Sequence, residues 1–331
     1  MSLLIPTVND YEDAHGQESE EVTYQEKLTQ LSDKKDSNGN LVYPWTFETI
    51  NGFFKQSDSS TDDLKFNYAT EDFGRIKSWP EIIEELERLN KEAGENECYK
   101  LLFLARHGQG FHNVCVNKYG IDEWHRKWHA MSTDGEIVWA PDPMLTDLGV
   151  NQAKENNQAW KAQIAQGAPI PAKFYVSPLQ RSSYTLVYTW GDIKPEEKRP
   201  LVTESIRETI GINLCDKRST KSVIRERFDK HGFIIDDLLT EEDELYERDT
   251  REQLHEQAIR VNGFLQGLFN EDWDLKTSAL DEKKKLQNSV ISTTSHAGTI
   301  RSFIMVLGHR HFTISTGGMI PIMVKGTRKL N

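Results

Sequence analysis

An α/β fold with a central, mostly parallel sheet is predicted by three stretches of the 331-residue chain. Each reads as a strand, then a turn, then a helix. The first is Leu101-Leu-Phe-Leu-Ala105 running into Arg106-His107-Gly108, the second Phe174-Tyr-Val-Ser177 leading to Arg181, and the third Val290 to Ser295 leading to His296. The first run is wholly apolar and bounded by a glycine-rich turn, the pattern of a buried central strand. Ligands in open α/β sheets sit just beyond the carboxyl ends of the strands, where these basic residues fall.

At the leading turn, a histidine can attack phosphorus and the arginine beside it can grip phosphate oxygens through two parallel hydrogen bonds. Gly108 and Gly110 let the backbone bend and approach a ligand closely. An Arg-His-Gly tripeptide alone also suits an ordinary solvated turn, so the downstream segments with Arg181 and His296 decide the reading.

In order and context, Arg106-His107-Gly108 with Asn113, the Ser177 to Thr185 segment and the Ser295 to Arg301 segment resemble the histidine phosphatase superfamily. The resemblance spans roughly residues 98 to 325. It implies a three-layer, phosphoglycerate mutase-like α/β/α fold with inserted segments over the pocket. Phe103-Leu-Ala-Arg-His-Gly-Gln-Gly-Phe-His-Asn113, Arg207-Glu-Thr-Ile-Gly211 and Cys215-Asp216-Lys-Arg218 resemble the fungal phosphomutase-like proteins in particular. One departure is visible: Ala297 follows His296 where many relatives have glycine.

Composition narrows the classes. Hydrophobic residues make up 37% and aromatics 10%, enough for a sizeable core. A net charge of −12 argues against binding nucleic acid or an anionic membrane. An anionic substrate must therefore be drawn in by a local basic pocket. Three cysteines, Cys98, Cys115 and Cys215, are too few for a disulfide framework and read as reduced thiols. The acidic start lacks the basic and long apolar regions of a secretory signal, and no apolar run approaches a bilayer span. A cytoplasmic or nuclear location is expected.

Residues 1 to 40 hold nine Asp or Glu against three Lys, which predicts a mobile or loosely attached acidic arm. Residues 41 to 331 are expected to form one domain, with 41 to 97 wrapping its core. The dense aromatics of that wrap run from Tyr43 through Trp45, Phe47, Phe53, Phe54, Phe66 and Tyr68 to Phe73. Ser78-Trp-Pro-Glu81 predicts a capping box, with Ile82, Ile83, Leu86 and Leu89 on one helical face.

Residues 114 to 145 and 212 to 245 read as insertions near the pocket. His125 and His129 stand at i and i+4 without a third ligand at zinc-site spacing, so they are expected on the surface or the pocket rim. Thr146 predicts a helix cap. Leu254, Ala258, Val261, Leu265 and Leu268 predict a core helix with His255 on its solvent side. Lys283 to Lys285 read as a solvated loop, His309 and His311 as structural or exposed, and Met319 to Val324 as a final edge strand.

The resemblance implies the chemistry. His107 is the expected nucleophile, forming a phosphohistidine that water hydrolyses. Arg106 and Arg181 are expected to clamp the phosphoryl group, with hydrogen bonds from His296 and Asn113. Glu208 is the expected general acid and later base; an ordinary salt bridge to Arg207 or Arg218 is its plain alternative. The scheme calls for no metal or other cofactor. It takes a small phosphorylated substrate and releases inorganic phosphate. A phosphoglycerate mutase would use the same pocket, but its arginine-tyrosine-glycine loop is not present in Ile206 to Asn213. A non-catalytic interaction module on the same fold is the remaining alternative.

Overall fold

The computed structural model describes residues 2–274 and 277–330. The chain opens with helices α1 (Val8–Ala14) and α2 (Glu18–Leu31), then strand β1 (Trp45–Thr49), α3 (Trp79–Glu92) and the long strand β2 (Glu97–Arg106). Helices α4 (Phe111–Tyr119), α5 (Ile121–Arg126) and α6 (Asp147–Ala165) follow, then β3 (Lys173–Val176), α7 (Gln180–Trp190) and β4 (Leu201–Val202). Next come α8 (Lys221–Phe228), β5 (Ile234–Ile235), α9 (Leu254–Asn270) and the short pair β6 (Trp273–Asp274) and β7 (Ala279–Leu280). The chain closes with α10 (Glu282–Gln287), β8 (Val290–Ser295), α11 (Ala297–Leu307) and β9 (Met319–Arg328).

Seven strands form one sheet in the order β1-β9-β2-β8-β3-β4-β5. β2, β8, β3, β4 and β5 run parallel, and β9 is antiparallel to both β1 and β2. Helices cover both faces, so the α/β expectation holds. On one face Phe103 of β2 meets Trp79 of α3 and Trp160 of α6, with ring centroids 6.0 and 4.8 Å away. Phe174 of β3 packs 5.0 Å from Trp190 of α7 on the same side. On the other face Tyr175 meets Phe264 of α9 edge-on at 5.0 Å, and Phe264 meets Phe303 of α11. Such edge-to-face pairs add about 0.5–1.5 kcal/mol each beyond area burial.

Local signals explain the element starts. Ser78 and Glu81 form the capping box of α3, and Thr146 accepts from Gly149 N–H to cap α6. Of the wrap aromatics, Trp45, Phe53, Phe54, Phe66, Tyr68 and Phe73 are buried, and Tyr43 and Phe47 are half-buried. Phe73 stands 4.9 Å from Trp160, and the Trp45 backbone exchanges two hydrogen bonds with the Gln266 side chain.

Several expectations are corrected. The acidic N-terminal segment is not loose: α2 lies on α9, with Tyr24 buried and its hydroxyl accepting from Asn262 Nδ2 at 2.7 Å. Two of its acids pair with the body of the fold, Glu20 with His255 and Glu21 with His311. Composition averages over a few anchors, Leu4 and Tyr24 among them, and so misses the docking. His255 is accordingly covered by α2 rather than facing solvent. β9 is interior, because β1 pairs outside it from Trp45 opposite Arg328 to Thr49 opposite Val324. Within the 212–245 insertion, Ile234 and Ile235 extend the sheet beside β4, and Phe228 and Phe233 join the main core. The lysine run is the helix α10, with Lys285 buried beside Glu282.

Candidate active site

Strand register brings the two expected histidines together. Arg106 of β2 lies opposite Ser295 of β8, so His107 and His296 leave adjacent parallel strands side by side. His107 N–H donates to the Ser295 carbonyl at 3.0 Å, and the two imidazole centroids are 5.0 Å apart. β3 flanks β8 with Val176 opposite Thr294, which sets Ser177 beside His296. His296 Nε2 lies 2.7 Å from Ser177 Oγ and 3.2 Å from Ser182 Oγ.

Gly108 is needed where it stands. A Cβ there would collide with the Gly149 carbonyl oxygen, so the first turn of α6 packs directly on this backbone. The Gly108 N–H donates to Thr185 Oγ1, tying the turn to α7.

Arg181 enters from the first turn of α7, and its Nε donates to His107 Nε2 at 3.4 Å. His107 Nδ1 is 2.7 Å from the Gly108 carbonyl. A carbonyl only accepts, so Nδ1 carries the hydrogen and Nε2 the lone pair. Burial, then the Arg181 and Arg106 charges, hold the His107 pKa well below the usual histidine value. His107 is thus a neutral imidazole whose unprotonated Nε2 faces Arg181.

These residues border a cavity of about 160 Å³ lined by Arg106, His107, Asn113, Arg181 and Glu208. His296 is fully buried beside His107. Arg106 Nη1 donates to Asp10 Oδ1 at 2.5 Å and to the Ile314 carbonyl at 2.6 Å. Arg181 donates to Asp216 Oδ1 at 2.8 Å and to the Cys215 carbonyl. Asn113 accepts from Gly110 N–H at 2.9 Å, which leaves its amide nitrogen as the end able to donate. Among the described residues, Arg106 Nε, Arg301 Nε, His112 Nδ1 and His296 Nδ1 are buried without a hydrogen-bond partner in the protein.

Glu208 is on the cavity wall and not in the salt bridge that was its alternative. Arg207 pairs with Asp243 and Glu204, and Arg218 with Glu204. Glu208 Oε1 accepts from Thr209 N–H at 2.9 Å. Burial pushes the Glu208 carboxyl up, but the Thr209 N–H and the charges of Arg181, Arg301 and Arg251 outweigh it and hold the pKa below the usual value.

Sequence reasoning missed five side chains of the acidic, basic or imidazole type on the cavity wall. His112 is 5.4 Å from His107 by ring centroids, and burial with nearby arginine charge keeps its pKa well below the usual value. Asp216 pairs with Arg181, and burial pushes its carboxyl up. Arg251, Arg301 and Asp13 complete the set. His112 and Asp216 stand inside the phrases shared with the fungal proteins, yet no local pattern gives them a role. Asp13 lies 94 positions before His107 and has no sequence signal at all. His125 is exposed, and His129 Nδ1 contacts the Trp124 carbonyl.

No protein-family model matches the chain. It is 32% identical over 299 residues to a "Probable phosphoglycerate mutase" of Arthroderma benhamiae, covering 85% of this chain and 84% of that protein. It is 34% identical over 279 residues to "Phosphomutase-like protein 3" of Candida albicans, covering 82% and 78%. A "Probable phosphoglycerate mutase" of Saccharomyces cerevisiae is 30% identical over 268 residues, covering 75% and 85%. Among solved structures, a mycobacterial glucosyl-3-phosphoglycerate phosphatase aligns at 19% identity and TM-score 0.35 over 62% of this chain and 77% of that one.

Proposed function

The chain is a member of the phosphoglycerate mutase-like histidine phosphatase superfamily, and from that premise we propose that it hydrolyses a phosphate monoester of a small metabolite through a phosphohistidine at His107. The observation that carries the reading is the state of His107: Nδ1 engaged by the Gly108 carbonyl, Nε2 unprotonated and next to Arg181. An imidazole so held is a nucleophile ready at neutral pH.

In the first step His107 Nε2 bonds to phosphorus as the ester P–O bond breaks, and the leaving oxygen takes a proton from Glu208. In the second, water attacks the phosphohistidine, Glu208 takes its proton, and orthophosphate leaves with His107 restored. Arg106 and Arg181 balance charge on the equatorial oxygens in both steps. The unpartnered nitrogens of Arg106 and His296 and the amide of Asn113 are donors for those oxygens. Glu208 is ionised while the arginine charge stands alone. A phosphate dianion offsets that charge, and the carboxyl then takes up the proton it delivers. The guanidinium groups supply the positive charge, so the scheme calls for no metal.

Hydrolysis is preferred over mutation because Ile206 to Asn213 lacks the arginine-tyrosine-glycine loop of the mutases. The second reading, phosphoryl transfer between hydroxyls of phosphoglycerate, is favoured by the names of the relatives. A screen of phosphorylated metabolites for phosphate release, with His107→Ala as blank, tests the first. With 3-phosphoglycerate and the bisphosphorylated primer, little 2-phosphoglycerate should form. An isomerisation rate matching the best release rate would select the mutase. No release and no isomerisation by the wild type would leave the non-catalytic module.

Among the described residues no helix is long and apolar enough to cross a membrane. All three cysteines are free and buried, which supports a cytosolic or nuclear setting.

A further inference from the structure

The N-terminal segment, whose acidity had no part in the chemistry above, reaches the pocket through α1. Asp10 and Asp13 are three residues apart and so share one side of this helix. Asp10 Oδ1 accepts from Arg106 Nη1 at 2.5 Å, in a pair almost closed to solvent. The Asp13 backbone carbonyl and Oδ1 accept from Arg301 Nη1 at 2.7 and 3.0 Å. In both arginines Nη1 is thereby taken from the α1 side, and Nε is buried with no partner in the protein. A guanidinium held at Nη1 keeps its Nε–Nη2 edge for a second, bidentate partner.

Asp10 lines a neighbouring narrow cleft with Ile300 and Phe312, which shares Arg106 and Arg301 with the catalytic cavity, and it is not itself among the residues that border that cavity. It therefore does not occupy the place of the substrate phosphate. Asp10 is itself fixed, because its Oδ2 accepts from both the N–H and the hydroxyl of Thr7 at 2.8 Å. The ends of α1 are tied down as well. Ahead of it the Leu3 carbonyl accepts from Gln152, and behind it His15 pairs with Asp63 at 3.0 Å.

We propose that Asp10, oriented by Thr7, is a positioning residue that turns the Nε–Nη2 edge of Arg106 toward the phosphoryl group, while Asp13, which itself borders the cavity, holds Nη1 of Arg301. The N-terminal helix is then a part of the active site rather than an appendage. This inference rests on the phosphatase reading and adds residues to it. Side chains 96 positions apart are coupled in this way. Burial pushes the Asp10 carboxyl up, but the charge of Arg106 and its hydrogen bond outweigh that and keep the carboxylate ionised, as such a pair requires.

The test combines calorimetric titration with inorganic phosphate and steady-state kinetics on the best ester. The proteins are wild type, Asp10→Asn, Asp10→Glu, Thr7→Ala, Arg106→Ala and the double variant Asp10→Asn/Arg106→Ala. Misplacing a clamping group by about 1 Å costs on the order of 100-fold. Asp10→Asn should therefore weaken phosphate binding about tenfold and lower kcat/KM by about 10- to 100-fold. Thr7→Ala should move both the same way by a smaller factor, and Asp10→Glu should recover part of the loss. The decisive reading is the cycle: in the Arg106→Ala background, Asp10→Asn should add almost nothing.

Unchanged or tighter phosphate binding in Asp10→Asn would overturn the proposal, as would an effect that persists in full without Arg106. A general loss of stability would appear as that persistent effect, and thermal unfolding of each variant identifies it. If the wild type binds phosphate but releases it from no ester, the phosphatase reading falls while the phosphate cycle still decides the role of Asp10. Failure of the wild type to bind phosphate would remove both.

Discussion

Gly298 and Glu208 are in contact across the pocket: a Cβ built on Gly298 would collide with Glu208 Oε1 and stand 2.8 Å from Thr209 Oγ1. The absent side chain is what lets the carboxylate lie against the first turn of α11. Gly298→Ala should therefore displace Glu208 while leaving the helix intact. Activity on an alkyl phosphate is expected to fall at least about tenfold, with a change in Tm of only a few degrees, because alanine suits a helix better than glycine. Activity within about twofold of wild type would show that Glu208 tolerates displacement and is not the proton donor.

His107 should carry phosphate during turnover. Phosphohistidine is acid-labile and base-stable, so rapid quenching with labelled substrate should trap base-stable label on the peptide containing His107. Label on a serine or an aspartate would end this mechanism. His107→Ala should abolish both label and phosphate release.

Glu208→Gln preserves shape but cannot deliver a proton. An alkyl alcohol leaves as a strong base and needs that proton, whereas a nitrophenol leaves readily as its anion. In single turnovers, phosphorylation of His107 by an alkyl phosphate should slow by roughly two to four orders of magnitude. Transfer from p-nitrophenyl phosphate should slow far less. Equal losses on both would make Glu208 structural and turn attention to Asp216 and Asp13, the other carboxyls among the described residues of the cavity wall.

Acid should destabilise the protein before its carboxylates titrate. Burial, aided by neighbouring positive charge, holds His107, His112 and His296 well below 6.5, and burial pushes His309 down to about 4. Above pH 7 these groups are neutral in both folded and unfolded chains and contribute no difference. Below about 6.5 the unfolded chain binds protons that the folded one refuses, so stability falls with pH. Each such histidine removes about 1.4 kcal/mol for every pH unit of further acidification, until it also titrates in the folded protein. Urea midpoints should drop between pH 7.5 and pH 5. Inorganic phosphate should restore part of the drop, because an anion in the cavity favours the protonated imidazoles there. A flat profile over that range would mean that the histidines titrate normally.

The three strand-turn-helix segments were legible because strand, turn and the basic residue at the cavity are contiguous there. A buried apolar strand and the glycine after it announce themselves within a dozen residues. Glu208 was legible only through a phrase shared with relatives, since nothing in Arg207-Glu-Thr-Ile-Gly211 is periodic. Arg251, Arg301 and Asp216 were not legible, because charged residues on loops and helix ends usually face water. Only the fold shows these three turned inward.

By itself the sequence determined the α/β class, the strand that carries His107, and the gathering of two histidines and two arginines at one edge of the sheet. Local periodicity and turn chemistry suffice for that, because each of these residues sits within a few positions of the strand that delivers it. Only the tertiary structure decided that the acidic N-terminal segment docks, that Asp10 backs Arg106, and that β9 lies inside the sheet under β1. These outcomes depend on partners 96 residues away for Asp10 and on pairing of the chain's two ends for β1 and β9. A helix rich in acids has the same composition whether its carboxylates meet water or guanidinium groups. The position of those guanidinium groups, set by the sheet, makes the difference.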